Sequence, residues 1–165
     1  MGRAADTRRA PLGALLLLLS SLSACAATDF PPELVRFTEG PEVLRPLGAG
    51  TWEAGFRERG YLLREEDGYH LFYTGIACAR CPGQLGYARS ADGLAFERPG
   101  TAPVYAASPL EDVTVLRQGD TYYLFGEGAS DELQLLTSTD RVTWRRQGRV
   151  DVRDTRGAPI SRGPY

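Results

Sequence analysis

Between Tyr61 and Arg145 the chain is a succession of short apolar runs broken by turn residues. No stripe of helical period persists beyond a turn or two. Short runs rich in aromatic and β-branched side chains suit a pleated, half-buried surface, so each run predicts a strand. Tyr61-Leu62-Leu63 reads as an inner strand buried on both faces, and Asp67-Gly68 is a hairpin signal. Tyr69 to Tyr73 is the next strand and Leu85 to Arg89 the one after. Ser90-Ala91-Asp92-Gly93 then turns the chain into an outer strand at Ala95-Phe96-Glu97. The order recurs with Val113 to Leu116, Tyr122 to Phe125, Leu133 to Thr137 and Val142 to Arg145. Upstream, Leu34 to Phe37 is a further short apolar patch with strand character.

The recurrence is a repeat. Tyr69 aligns with Tyr122 and Phe72 with Phe125 at an offset of 53, while Ser90 aligns with Ser138, Asp92 with Asp140 and Phe96 with Trp144 at 48. The first loop, Ile76 to Gln84, is longer than the second, Ala129 to Glu132, by the difference. Repeats of about 50 residues built from short strands point to propeller blades, not helical arrays. The expected fold is therefore all-β, two blades at 51–104 and 105–150 with the start of a third at 151–165, preceded by a lead-in at 25–50. Closing a propeller takes at least four blades, so the chain is expected to belong to a longer gene product and to be marginal alone. The Ser90/Asp92 and Ser138/Asp140 pairs recur in both copies, as a structural turn should.

Composition alters this picture little. All 19 basic residues are Arg, and they are scattered along the 165-residue chain. The N-terminus matters more. Arg3, Arg8 and Arg9 precede an apolar run, Leu12 to Leu22, which ends in Leu22-Ser23-Ala24-Cys25. This is a signal peptide, too short to span a bilayer comfortably, whose end resembles the bacterial lipobox. The expectation is a lipoprotein signal at 1–24 and a chain exported and lipid-anchored to the cell envelope through Cys25. An ordinary signal peptide with a chance cysteine is the alternative. Without residues 1–24 the net charge is −4, from 16 Arg against 20 acids. Without a basic stripe, such a chain is not expected to bind nucleic acid.

Cys78 and Cys81 lie in the longer first loop. In an oxidising compartment they predict a small disulfide pinning that loop. A zinc site would lack a second cysteine pair, and the only histidine is His70. Pro82 after the pair rules out c-type haem attachment, and a hairpin loop is not where a thioredoxin-like motif sits. No metal or cofactor is implied.

The aromatic second strand followed by Leu85-Gly86-Tyr87-Ala88-Arg89-Ser90-Ala91-Asp92-Gly93 and Phe96, with Glu111-Asp112-Val113 opening an inner strand, resembles the five-bladed propeller glycosidases around glycoside hydrolase family 43. The resemblance covers Thr51 to Tyr165. It implies cleavage of glycosidic bonds in polysaccharide or oligosaccharide, with a carbohydrate substrate and carboxylates at the axial ends of inner strands. In that family a base Asp lies in the first blade, a second Asp in the second, and an acid Glu in a later one. Asp112 fits the second position. Its first-blade equivalent is Arg59, so the base is Glu58 in a shifted register, Glu53, or missing, and the acid would lie beyond Tyr165. Candidate sugar contacts are Trp52, Arg57, Glu111 and Glu127, the last standing where the first copy has Thr74. Tyr61 is a further stacking candidate. The alternative reading, prompted by Arg59, is a non-catalytic sugar-binding or scaffold propeller, or an inactive fragment.

Overall fold

The computed structural model describes residues 37–160. The lipobox with Cys25, the signal segment, the patch from Leu34 and the end of the chain from residue 161 lie outside the described residues. The described residues from Gly40 onward fall in one compact unit. Among the described residues all regular structure is β. Two antiparallel meanders follow one another. The first sheet holds β1 (Phe56–Glu65), β2 (Gly68–Ile76) and β3 (Gln84–Ser90), in that order. The second holds β4 (Glu111–Gln118), β5 (Thr121–Glu127), β6 (Leu133–Ser138) and β7 (Arg145–Arg149).

Alternation decides which faces meet. In β5, Tyr122, Leu124 and Gly126 are buried while Tyr123, Phe125 and Glu127 are half-buried, the period-two pattern of a sheet with one core face. Phe72, Leu85, Leu110, Val115, Leu124 and Leu136 are fully buried in one cluster that joins the two sheets. Phe72 stacks at a tilt on Tyr87 (5.2 Å between ring centroids) and meets Trp144 of the second repeat edge-on at 5.9 Å. A smaller cluster of Leu44, Tyr73 and Ala88, with Trp52, Leu71 and Phe96, covers the other face of the first sheet. Gly86 permits this packing, because a Cβ there would fall 2.2 Å from the Tyr73 ring.

Three strands differ from expectation. Tyr61-Leu62-Leu63 belongs to a longer strand and is not buried on both faces, since Leu62 is 53% exposed. The outer strand of the first copy shrinks to a single bridge between Arg89 and Glu97. The Phe96 amide is spent on Val43 O (2.9 Å), and Pro99 has no amide to extend the ladder. In the second copy the outer strand starts at Arg145, not Val142. The amides of Val142 and Thr143 donate to Asp140 Oδ1 at 2.9 and 2.6 Å and so are unavailable to the sheet.

The turns preceding these outer strands match. Ser90 Oγ donates to Asp92 Oδ1 and accepts from Gly93 N, both at 2.9 Å, while Leu94 N donates to Asp92. Ser138, Asp140 and Arg141 N repeat the pattern.

Candidate functional site

Each inner strand carries a bulge near its start, and the bulges occupy equivalent positions. Opposite β2, one extra residue of β1 is accommodated between Glu58 and Tyr61; opposite β5, one extra residue of β4 lies between Glu111 and Thr114. A bulge of this kind re-aims side chains and is common beside functional sites. In each the backbone turns left-handed at a residue other than glycine: Arg59 and Asp112, both with φ 50°. Such a conformation costs about 1–2 kcal/mol for a residue with a Cβ. Asp tolerates it better than Arg.

The two bulge residues meet. Arg59 Nη1 donates to Asp112 Oδ2, an ion pair across the sheet boundary between positions 53 apart in sequence. That hydrogen bond, followed by the Asp112 charge itself, raises the Arg59 pKa. Asp112 Oδ1 is buried and has no hydrogen-bond partner. Thr74 Oγ1, in the strand that pairs with Glu58, is likewise buried without a partner. Glu111 lies directly across from Glu127 in the β4–β5 register. The end at which β1 and β4 begin therefore gathers Glu58, Arg59, Glu111, Asp112 and Glu127. The loop after β2 closes on this end: Leu110 N donates to Gly83 O at 3.1 Å, and Cys78 and Cys81 are joined by a disulfide just before it.

A concavity of about 520 Å³ lies beside the first bulge, lined by Glu42, Arg57, Glu58, Arg59, Leu71 and Tyr73 among others. Neither Glu111 nor Asp112 lines this concavity. Arg57 is committed to Leu44 O at 2.6 Å and lies 3.7 Å from Glu42. Glu53 is wholly buried, and its carboxylate accepts from Leu47 N (3.0 Å), Tyr73 Oη (2.7 Å) and Arg98 Nη2 (2.5 Å). These bonds make Glu53 an anchor for the lead-in segment. Burial, then the bond to Glu53, pushes the Tyr73 phenol up. Trp52 gives its indole N–H to Thr101 O at 3.0 Å, stacks on Tyr73 at 5.8 Å and packs on Gly75, where a Cβ would strike its ring at 2.1 Å.

Sequence reasoning missed a second polar centre, at the opposite end of β1. Glu65, Asp67 and His70 offer donor atoms within 4.8 Å of one another, the spacing of a metal site. Arg141 takes that place. Its Nη1 lies 2.8 Å from Glu65 Oε2 and 2.8 Å from His70 Nε2, and Nη2 lies 2.8 Å from Asp67 Oδ2. His70 is buried and also meets Tyr87 Oη at 2.8 Å. Hydrogen bonds from Arg141, then from His70, hold the Asp67 carboxyl well below the usual range. Burial works to raise Glu65, but hydrogen bonds from Tyr122 and Arg117 outweigh it and leave it lowered. The Tyr122 phenol is pushed up to about 12, by burial first and by its bond to Glu65 next. The signal was present in the repeat: Arg141 stands where the first copy has Gly93.

No protein-family model and no curated protein matches this chain. Solved structures do. A protein described as a glycoside hydrolase superposes with a TM-score of 0.55 at 19% identity, over 70% of this chain and 40% of that one. A provisionally assigned glycoside hydrolase from Parabacteroides distasonis gives 0.54 at 22% identity, over 64% of this chain and 36% of the other. Another, from Bacteroides ovatus, gives 0.52 at 19%, over 64% and 35%. The chain thus spans well under half the length of the structures it matches. The likeness is one of fold.

Proposed function

We propose that the chain is part of a carbohydrate-active propeller that cleaves glycosidic bonds, with Asp112 as the charged group at its sugar site. One observation carries the reading. Asp112 sits on a left-handed bulge with Oδ2 held by Arg59 and Oδ1 buried without a partner. A buried acceptor without a partner loses about 1–3 kcal/mol, and a ligand hydroxyl would recover it. A sugar supplies such hydroxyls. Glu111, Glu127 and Glu58 lie at the same end, and glycoside hydrolysis draws on a pair of carboxyl groups. Membership in a five-bladed closed propeller, export, and lipid attachment at Cys25 belong to the same proposal. Loss of fatty-acid labelling in Cys25→Ala cells is the expected sign of the anchor, and labelling that persists would exclude it.

The test is hydrolysis by the full-length gene product against a panel of aryl glycosides and oligosaccharides. Asp112→Asn should lower turnover about 10²–10⁴-fold, while Asp92→Asn, in a turn, should alter stability alone. Unchanged turnover in Asp112→Asn would remove this site from the reaction.

Arg59 favours a second reading. A cation occupies the position where the repeat would place another carboxylate, which suits a sugar-binding propeller without catalysis. Such a protein would bind oligosaccharide with similar affinity in wild type and Asp112→Asn and hydrolyse none in either form. Isothermal titration of both proteins separates the two readings.

A further inference from the structure

We propose that the Cys78–Cys81 disulfide is a redox-sensitive clasp that seats the loop after β2 against the Glu111–Asp112 segment. This regulatory role rests on reading that end of the sheets as the sugar site. Three observations carry it. First, the hairpin does not need the cross-link: the second copy closes its shorter loop with Gly128 N donating to Glu132 O at 2.8 Å and has no cysteine there. Second, the disulfide closes the turn in which Cys81 N donates to Cys78 O at 2.8 Å, and only Pro82 separates Cys81 from Gly83. Third, Gly83 is buried hard against the candidate site. A Cβ there would fall 2.6 Å from Glu111 Cγ, 2.9 Å from Leu110 O and 2.9 Å from Thr74 Cγ2. Its carbonyl accepts from Leu110 N, directly before β4. The covalent ring thus fixes the chain two residues before the point that touches the site.

Cys78 is exposed and open to attack. A small dithiol reacts by thiolate attack on a disulfide sulfur, giving a mixed disulfide that its second thiol resolves. The protein gains two thiols, and the reductant leaves as its own disulfide. Turn and loop then regain backbone freedom, and the Gly83 contact with Leu110 and Glu111 loosens while the distant core is undisturbed.

Amide hydrogen exchange of the full chain with and without dithiothreitol tests this. Reduction should speed exchange at Leu110 about tenfold, by lowering its local opening free energy, and leave Gly128 unchanged. The double variant Cys78→Ser/Cys81→Ser should exchange fast at Leu110 in both conditions. Slow exchange at Leu110 after reduction, an equal change at Gly128, or slow exchange in the double variant would each overturn the clasp. The readout contains no sugar, so a chain that neither binds nor cleaves carbohydrate would sink the proposed function and still decide this question.

Discussion

Arg141 and Gly93 occupy the same turn position in the two copies, with left-handed backbones at φ 69° and 79°. Glycine suits that conformation, so arginine there needs a compensating role. It has one, since its guanidinium gathers Glu65, Asp67 and His70 from the neighbouring sheet. Arg141→Gly should therefore relieve backbone strain yet lower stability by about 1–2 kcal/mol in a urea melt, between the ranges for exposed and buried pairs. A more stable variant would mean that strain outweighs the ion pairs. The same cluster predicts a pH dependence. Asp67 and Glu65 are held low in the folded state, and the Thr143 amide and its neighbours lower Asp140 to about 2. Between the folded and the ordinary value the unfolded chain binds more protons, so this stability is present above about pH 4 and lost as pH falls. Melting temperature should drop on acidification from about pH 4 towards 2, less steeply in Arg141→Gly. Equal slopes in the two proteins would show that Asp67 and Glu65 do not draw their stabilisation from Arg141.

Among elements, β2 is the most enclosed, because the lead-in segment covers the face that the second sheet does not. Gly75 under Trp52 and Gly86 under Tyr73 are the points of closest approach. Gly86→Ala should displace the Tyr73 ring and cost about 1–3 kcal/mol, measured as a lower urea midpoint. The disulfide loop behaves differently. A ring this short restricts the unfolded chain little, so Cys78→Ser/Cys81→Ser should lower stability by only about 1–2 kcal/mol. Loss of folding in that variant would make the cross-link essential to the sheet.

For the molecule as a whole, the two sheets share one core, but each leaves apolar surface open. Leu62 is 53% exposed on β1 and Leu116 45% exposed on β4. Exposed apolar side chains on both sheets favour association. The 165-residue chain should therefore self-associate in analytical ultracentrifugation, and Leu62→Ser/Leu116→Ser should shift it towards monomer. A compact monomer with a sharp melt in the unsubstituted chain would contradict this.

Most strand positions, the hairpins and the repeat were legible in the sequence, because alternation, Asp-Gly turns and the Ser-x-Asp turn are local signals carried by consecutive residues. The two outer strands were not, since their amides are taken by Val43 and Asp140. The equivalence of Arg59 and Asp112 was legible too, as an alignment. Their ion pair was not, since it depends on two bulges that turn both side chains toward each other across sheets. Burial of Glu53 and its pairing with Arg98 likewise required the lead-in segment to fold back over β2. The Arg141 cluster joins residues up to 76 apart. Contacts of that range follow from how sheets pack, and packing is decided by the whole set of buried side chains at once. The sequence alone determined the repeat and the central strands of each copy; the tertiary structure decided how far the outer strands extend and which charged residues face one another.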